Sequence, residues 1–536
     1  MHATVANSFD IAIVCAYFAL TLLIGYRSRR NATNSAQYLN ATRAMPMWVA
    51  ALSFLAVNLS GMEMIGFSAL SAEYGVSALH FYWIGAIPAM IFLALFMVPI
   101  YLRSRAQSVP EFLHLRFNSQ TRLLNCISML VASALLAGIS LYAMALTLCS
   151  FFGWNFFAGT LVGGLLTLIY LILGGLRATI YNELLQLTIV LAGLVPLAIL
   201  ILTASHGIHG LLAPLPVASQ HLWREMPLTS HTAPLDQIGV AMGLGFVLSF
   251  GYWCTDFRLI QRTLTAQQGR EVRMVPLIAA AGKMFVPLLV IVPGLAAFTL
   301  LAHAGQEGKL PNYNQALPWM ISRYYGHGLF GLGLAAMLAG LISGVAGNVA
   351  AFSSLWTQEI YRPYLAQART EKHYILIGKS SMAVGVILSI AAAFIALRFK
   401  NLMDYVQLLF SLFNAPLFAV FLLGMFTRWA TPWAGFWGLL IGVFIGIAHQ
   451  AAVRVGMLSY GSQMSANFYG AIYAWLVSIL SIAAISRWTV ARDTAEFDGL
   501  VCRFEFLSGI SRRTRPVFTL ALLLAAVCLL LNFWFR

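Results

Sequence analysis

Charged residues are scarce in this sequence. Only 9% of its 536 residues are charged and 60% are hydrophobic, whereas a soluble domain usually carries about 25% charged residues. So few charges cannot cover a surface that faces water, which excludes a water-soluble protein. Apolar runs recur from one end of the chain to the other, so we predict a single all-α membrane domain over residues 1–536.

Enzyme motifs are missing as well. The sequence contains no HExxH, no GxSxG and no phosphate-binding GxxxxGK[ST] loop, and its 17 Asp and Glu residues are scattered. These absences exclude the corresponding hydrolases and an ATP-driven pump. The six cysteines form no CxxC pair, which argues against a zinc site or a disulfide framework. We therefore predict that the protein is not an enzyme.

Fourteen apolar segments of spanning length are predicted. Asp10 precedes the first and Arg27 follows it, which indicates a retained helix whose N-terminus lies outside the cell. The loops then predicted to be cytoplasmic hold 24 of the 32 Lys and Arg residues, as expected for a multi-pass protein of the plasma or inner membrane. This bias explains the net charge of +15 without nucleic acid. The segments begin near residues 8, 46, 78, 121, 154, 178, 235, 275, 327, 374, 401, 430, 466 and 514.

Polar breaks interrupt the second and the seventh predicted helices, at residues 56–63 and 249–256. Backbone can unwind at membrane depth only where protein or a water-filled cavity satisfies it. Because the two helices are five apart, the second begins on the opposite side of the membrane from the first. We predict an inverted repeat of five plus five helices with a binding site between the halves. The predicted segments are 8–27 (extra N-terminal helix), 46–205 (first repeat), 235–424 (second repeat) and 430–536 (extra C-terminal helices).

Two ionisable residues fall inside predicted spans. Glu63 and Lys283 would each cost about 2.5 to 3.5 kcal/mol at a helix centre, so each needs a partner or a cavity. They form either a structural ion pair or a pair that faces the solute, or Lys283 extends toward a nearby membrane surface. Aromatic residues near the breaks belong either to an interfacial belt or, with nearby amides, to a pocket that suits a sugar or a cyclitol. The candidate solute-binding residues are Asn58, Glu63, Tyr82, Ser249, Tyr252, Trp253, Lys283 and Gln407.

A stripe of small residues occupies the ninth predicted helix, at residues 340–348. Its spacing is typical of close helix packing. Alternatively, a hydroxyl on this stripe could join carbonyl groups freed by the broken second helix in an oxygen cage for sodium, a hard cation. Spacing alone favours packing.

Four motifs occur in order along the chain. They are SVPEFL at 108–113, GGLRA at 174–178, YWCTD at 252–256 and FNAPL at 413–417. Over essentially its whole length the chain resembles the sodium:solute symporter family, which includes sodium/glucose and sodium/proline cotransporters. The resemblance implies a leucine-transporter-like fold and transport of a small polar solute, most simply sugar-like, driven by sodium entry.

The resemblance also implies ligands for the coupled ion. By position, sodium would be bound by the backbone carbonyl groups of Ala56, Leu59 and Gly340 and by the hydroxyl of Ser343. The family usually has a second hydroxyl where this chain has Gly344. We hypothesise that Asn348, one turn beyond, lends an oxygen instead. Glu183 stands where the family commonly has Asp, and the resemblance implies that it lies on the cytoplasmic exit path of the ion.

The solute site matches the family only in part. Asn58, Tyr252, Lys283 and Gln407 correspond to positions that contact sugar in the sugar-transporting members. The family's carboxylate on the third helix is replaced by Tyr82, its serine by Gly85, and a polar residue of some members by Met62. Two alternatives remain: a proton-coupled transporter in which Glu63 titrates, and a sensor that binds solute without transporting it.

Overall fold

The computed structural model describes residues 7–28, 45–106, 108–230, 232–266, 270–303, 312–490, 497, 499–502 and 514–536, and no β-strand occurs among them. Ten of its helices are long and apolar enough to cross a membrane, or twelve if each of two bent pairs is one span. Two shorter apolar helices, Ser8–Ile24 and Phe156–Ile169, accompany them. The all-α membrane fold is confirmed, whereas the count of fourteen spans is not.

The first half of the chain contains an N-terminal helix, a broken span and three longer helical elements. Short helices on the loops complete it. In chain order these elements are α1 (Ser8–Ser28), α2 (Met47–Asn58), α3 (Gly61–Tyr74), α4 (Phe81–Ser104), α5 (Val109–Arg116), α6 (Ser119–Phe152), α7 (Phe156–Ala204), α8 (Ile208–Leu212) and α9 (Val217–Gln220).

The second half again opens with a broken span. It continues through the long, enclosed helix α15 to the C-terminal helices. Its elements are α10 (Gly239–Thr255), α11 (Phe257–Leu264), α12 (Arg270–Lys283), α13 (Val286–His303), α14 (Ala316–Tyr324), α15 (Leu329–Leu365), α16 (Glu371–Ala396), α17 (Leu402–Phe426), α18 (Pro432–Val455), α19 (Gln463–Ser486) and α20 (Arg515–Trp534).

The prediction of two separate helices between residues 154 and 205 differs from the structure, in which α7 is continuous. The segments predicted to begin near residues 154 and 178 belong to a single helical element of 49 residues. Hydropathy shows where apolar sequence is interrupted, but a short polar interruption need not end the helical backbone. The side chains of residues 173–178, which include the second family motif, lie outside the described part of the chain.

Both predicted breaks are confirmed as bends. The axes of α2 and α3 differ by 52°, and those of α10 and α11 by 51°. At the first break the Ser60 amide donates to the Asn58 carbonyl oxygen (2.6 Å), so it is withdrawn from the Ala56 carbonyl that a continuing helix would pair with it. At the second, the Asp256 carboxylate accepts from the amides of Arg258 and Leu259 and so begins a new helix.

Lys283 lies at an interruption within the predicted eighth helix. It is the last residue of α12, and a turn at residues 284–285 separates it from α13. Pro287 explains the interruption because it has no N–H to donate to the carbonyl of Lys283, four residues earlier. The side chain is therefore placed by a helix end.

The centre of the fold is α15. In the most apolar stretch of α15, 89% of the residues are buried, whereas in that of α20 only 22% are. The helix α15 therefore lies in the interior and α20 at the periphery. Glycines on α15 allow close approach to the first broken helix: a Cβ on Gly340 would lie 3.0 Å from the backbone nitrogen of Gly61. The small-residue stripe packs against the break, as its spacing predicts.

A second close contact joins α3 to α13. The hydroxyls of Ser68 and Ser71 donate to the carbonyl oxygens of Val290 (2.5 Å) and Ile291 (3.1 Å). A Cβ on Gly294 would lie 2.0 Å from the Ser71 oxygen and 2.1 Å from the Ser68 carbonyl oxygen. Because one of these atoms is backbone, the contact cannot relax cheaply.

We expect Gly294→Ala to lower the stability of the folded protein by about 1–3 kcal/mol, because the added methyl group forces α3 and α13 apart. The measurement is the thermal unfolding midpoint of the purified protein in detergent. Gly326→Ala is the matched control, since its Cβ would meet nothing within 4 Å. Equal midpoints for the two variants would contradict the close contact.

Candidate functional site

A cavity lies beside the first break. It is bounded by α2, α3, α4, α10, α17 and the end of α12. All eight candidate solute-binding residues line it: Asn58, Glu63, Tyr82, Ser249, Tyr252, Trp253, Lys283 and Gln407. The remaining wall is apolar and is formed by Met62, Phe67, Phe81, Ala86, Leu244, Leu248, Met403, Val406 and Phe410.

Glu63 and Lys283 form an ion pair on the cavity wall. The lysine Nζ lies 2.5 and 2.6 Å from the two carboxylate oxygens, and it also donates to the Asn58 side-chain oxygen. Both charged side chains are buried, at 4% and 2% exposure. The pair therefore adds hydrogen-bonding groups to the cavity but no net charge.

Tyr82 completes the surroundings of the carboxylate. Its hydroxyl donates to Glu63 Oε1 at 2.6 Å, from α4 to α3. The resemblance implied a carboxylate at position 82 itself. In this chain the carboxylate comes instead from the facing helix and binds the side chain that stands at position 82, so an acidic group remains at this wall.

A second polar chain leads from the cavity to the second break. The Asn58 amide donates to the Tyr252 hydroxyl (2.8 Å), which also lies 3.4 Å from Arg258. Arg258 in turn is bound to the Asp256 carboxylate (3.1 Å). The residues on either side of the cavity are thus connected to the bend between α10 and α11.

Two aromatic residues of the wall stack on neighbouring rings. Tyr252 stacks on Phe410 with ring centroids 4.6 Å apart, and Trp253 stacks on Phe54 at 5.9 Å. Lys283 Nζ lies 5.2 Å from the centroid of the Trp253 ring. Trp83, adjacent to Tyr82 in sequence, instead packs against the C-terminal segment and does not line the cavity.

Gln407 and Ser249 each place a side-chain oxygen at the cavity wall. Gln407 is buried, and its side-chain oxygen has no hydrogen-bond partner in the described part of the chain. The Ser249 hydroxyl lies over Gly85, where a Cβ would be only 2.4 Å from its oxygen. Position 85 is one at which the family has a serine, so here a hydroxyl reaches the same place from α10.

A second group of oxygens lies where α15 meets the first break. Residues 340, 343, 344 and 347 share one helical face, and a Cβ on Gly340 or Gly344 would lie 3.3 Å from Ser60 atoms. Ser343 is 3% exposed, and its hydroxyl has no partner among the described residues. A buried hydroxyl with unsatisfied lone pairs fits a cation such as sodium.

Asn348 and Glu183, the two further residues proposed for the path of the ion, each form hydrogen bonds within the protein. The Asn348 amide donates to the Gly344 carbonyl oxygen (2.8 Å), and its own oxygen lacks a partner in the described structure. Glu183 accepts from Arg262 at 2.6 Å and from the Ser53 hydroxyl. Arg262 therefore holds the candidate exit-path carboxylate in this conformation.

A second, smaller cavity lies at the second break. Asp256, Arg258 and Asn348 line it, and Phe410 lines both cavities. Sequence reasoning did not include Phe410 or Arg258 in the site. The available signal for Phe410 was its position three residues after Gln407, on the same face of α17.

Solved structures of two membrane transporters share this fold. A substrate-bound, outward-open structure of a Na⁺-coupled sialic acid symporter matches with a TM-score of 0.76 and 20% identity, over 91% of this chain and 99% of that one. A closed nucleobase-cation-symport-1 family transporter matches with a TM-score of 0.51 and 12% identity, over 87% and 98%. These likenesses confirm the leucine-transporter-like fold.

Sequence comparison defines the family. The model of the sodium:solute symporter family matches residues 38–442. The sodium/mannose cotransporter of Bos taurus is 30% identical over 82% of this chain and 78% of its own length, and the sodium/glucose cotransporter of Vibrio parahaemolyticus is 26% identical over 90% and 91%. The chain belongs to the sodium:solute symporter family and is a sodium-coupled transporter of a small solute.

We expect Glu63→Gln and Lys283→Met, each made alone, to lower stability by about 3–5 kcal/mol, because each leaves its partner charge buried and unpaired. The double variant leaves neither charge and should regain most of the loss. Thermal unfolding of the purified proteins measures this.

The control is Arg362→Gln, which removes an ion pair to Glu371 whose two side chains are each 41% exposed and should cost at most about 1 kcal/mol. Single variants at positions 63 and 283 that are as stable as this control would contradict the pairing.

Proposed function

We propose that the solute is a neutral polyhydroxylated ring such as a sugar or a cyclitol, and that it enters the cell together with sodium by alternating access. The observation that carries this proposal is the composition of the cavity wall. It combines flat aromatic faces with several hydrogen-bonding groups, while its two charged groups neutralise each other. Sugars bind to such walls because ring faces stack on aromatics and hydroxyls need both donors and acceptors.

The relatives support the same class of solute. The two relatives compared by sequence are named as a sodium/mannose and a sodium/glucose cotransporter. The departures at Tyr82 and Gly85 are each matched by a side chain on a facing helix, Glu63 and Ser249, so the cavity keeps the types of group that hydroxyls require. The roles proposed for Asn58, Tyr252, Trp253, Lys283 and Gln407 are to bind the ring and its hydroxyls.

For sodium we propose the site at the junction of α15 and the first break. Its ligands are the carbonyl groups of Ala56, Leu59 and Gly340 and the hydroxyl of Ser343. Their support is the withdrawn Ser60 amide, the close approach of Gly340 and the unpartnered Ser343 oxygen. Glu183 then lies on the proposed cytoplasmic exit path, which opens when Arg262 releases it.

Movement of solute requires the cavity to open to one side at a time. Phe410, which stacks on Tyr252, lines both the main cavity and the smaller one at the second break. We assign the smaller cavity to the cytoplasmic side of a plasma-membrane protein whose N-terminus lies outside, as the charge bias predicts. Displacement of the Tyr252 ring would then join the two cavities.

Sodium coupling to a sugar-like solute is tested by uptake into proteoliposomes. With one sodium per solute, a 100 mV potential supplies about 2.3 kcal/mol and a tenfold sodium gradient about 1.4 kcal/mol, enough for roughly 500-fold accumulation of a neutral solute. We expect at least one member of a panel of labelled hexoses and cyclitols to accumulate only when sodium is present.

Labelled amino acids and empty liposomes serve as controls for this measurement. Accumulation of amino acids but not of sugars would contradict the proposed solute class. Uptake driven by a pH gradient without sodium would indicate proton coupling. Binding of sugar by purified protein without any uptake would indicate a sensor.

A further inference from the structure

A hydroxyl group on α6 fills the notch that Gly344 leaves in α15. A Cβ placed on Gly344 would lie 2.6 Å from the oxygen of Ser140 and 3.2 Å from its Cβ. These distances put the Ser140 oxygen within the space that a side chain at position 344 would occupy. The hydroxyl expected on α15 is therefore replaced in space by one from α6.

The orientation of this hydroxyl leaves its lone pairs free. Ser140 is fully buried, and its hydroxyl hydrogen is directed to the carbonyl oxygen of Leu136 in its own helix, at 3.3 Å. A hydroxyl that donates in this way can still accept or coordinate through its oxygen. The oxygen therefore faces Gly344 as an electron-pair donor.

One further oxygen next to Gly344 lacks a partner. Ser343 precedes Gly344 on α15, and its buried hydroxyl is unpartnered among the described residues. Ser60, at the first break, packs against Gly344 from the opposite helix. The Cβ of Ser60 lies 3.3 Å from the place that a Cβ on Gly344 would take. A buried hydroxyl oxygen without a partner is costly, and a bound cation between α6 and α15 would satisfy it.

We propose that Ser140 is a ligand of the coupled sodium ion, acting in the position that a hydroxyl at residue 344 would otherwise take. This inference rests on the sodium site proposed above and adds a residue from α6 to it. Because α6 then contacts the ion directly, sodium binding would hold α6, α15 and the first broken helix together.

The test is equilibrium binding of ²²Na⁺ to the purified protein. We expect Ser140→Ala and the nearly isosteric Ser140→Cys to raise the sodium concentration at half-saturation by about tenfold, which corresponds to about 1.4 kcal/mol, since neither methyl nor thiol is a good ligand for a hard cation. The double variant Ser140→Ala/Gly344→Ser returns a hydroxyl to the same place from α15. It should restore affinity to within about threefold of the unmodified protein.

The matched control is Thr147→Val. Thr147 also lies buried on α6 and donates to a carbonyl oxygen of its own helix, that of Ala143 at 2.8 Å, so the loss of its hydroxyl should leave sodium binding unchanged. Size-exclusion profiles check that each variant is folded.

The outcomes separate this inference from the proposed sodium site. If the unmodified protein binds sodium saturably and both Ser140 variants bind it equally well, the role of Ser140 is wrong while the site itself stands. Weakened binding in Asn348→Ala alone would assign the extra ligand to Asn348 and overturn the role of Ser140. If the unmodified protein shows no saturable binding up to about 0.2 M sodium, the proposed site fails together with the inference.

Discussion

The interruption of the helix between Asn58 and Gly61 is the constraint on which the rest of this structure depends. Backbone groups released at membrane depth must be satisfied by protein, water or a bound ion. The side chains flanking the interruption, Asn58 and Glu63, face the solute cavity, while its backbone faces Gly340 of α15. One short segment thus contributes to both proposed sites, which gives a physical reason for the binding of ion and solute to depend on each other.

Two types of group that the family carries on α4 come in this chain from facing helices. The carboxylate that the family has at position 82 comes here from Glu63, and the hydroxyl that it has at position 85 is matched by Ser249. At Gly344, likewise, the nearby hydroxyl is that of Ser140 on α6. What the wall keeps is the type of polar group, although a different helix carries it. Residue-by-residue transfer of a family site therefore underestimates how much of the site remains.

Much of the fold could be predicted because membrane proteins reveal their helices through composition. Most starts of the helices, the two bends and the eight cavity residues followed from apolar length, polar interruptions and family motifs. The interruption at Lys283 has a local signal in Pro287, which hydropathy does not register. The contact between Ser140 and Gly344 has no local signal in the sequence, because it arises where α6 packs against α15. Within the 34 residues of α6, Ser140 is not distinguished from the other serines. Contacts between distant helices are what sequence reasoning could not provide.

The central claim is that the first break links the ion site to the solute site. It is tested most directly by measuring the affinity of the purified protein for the accumulated solute with and without sodium, and its affinity for sodium with and without that solute. Thermodynamic linkage requires the two factors to be equal, and couplings of this kind are typically about 5- to 150-fold. We predict equal factors in that range. Solute affinity that is the same with and without sodium would contradict the shared role of the break.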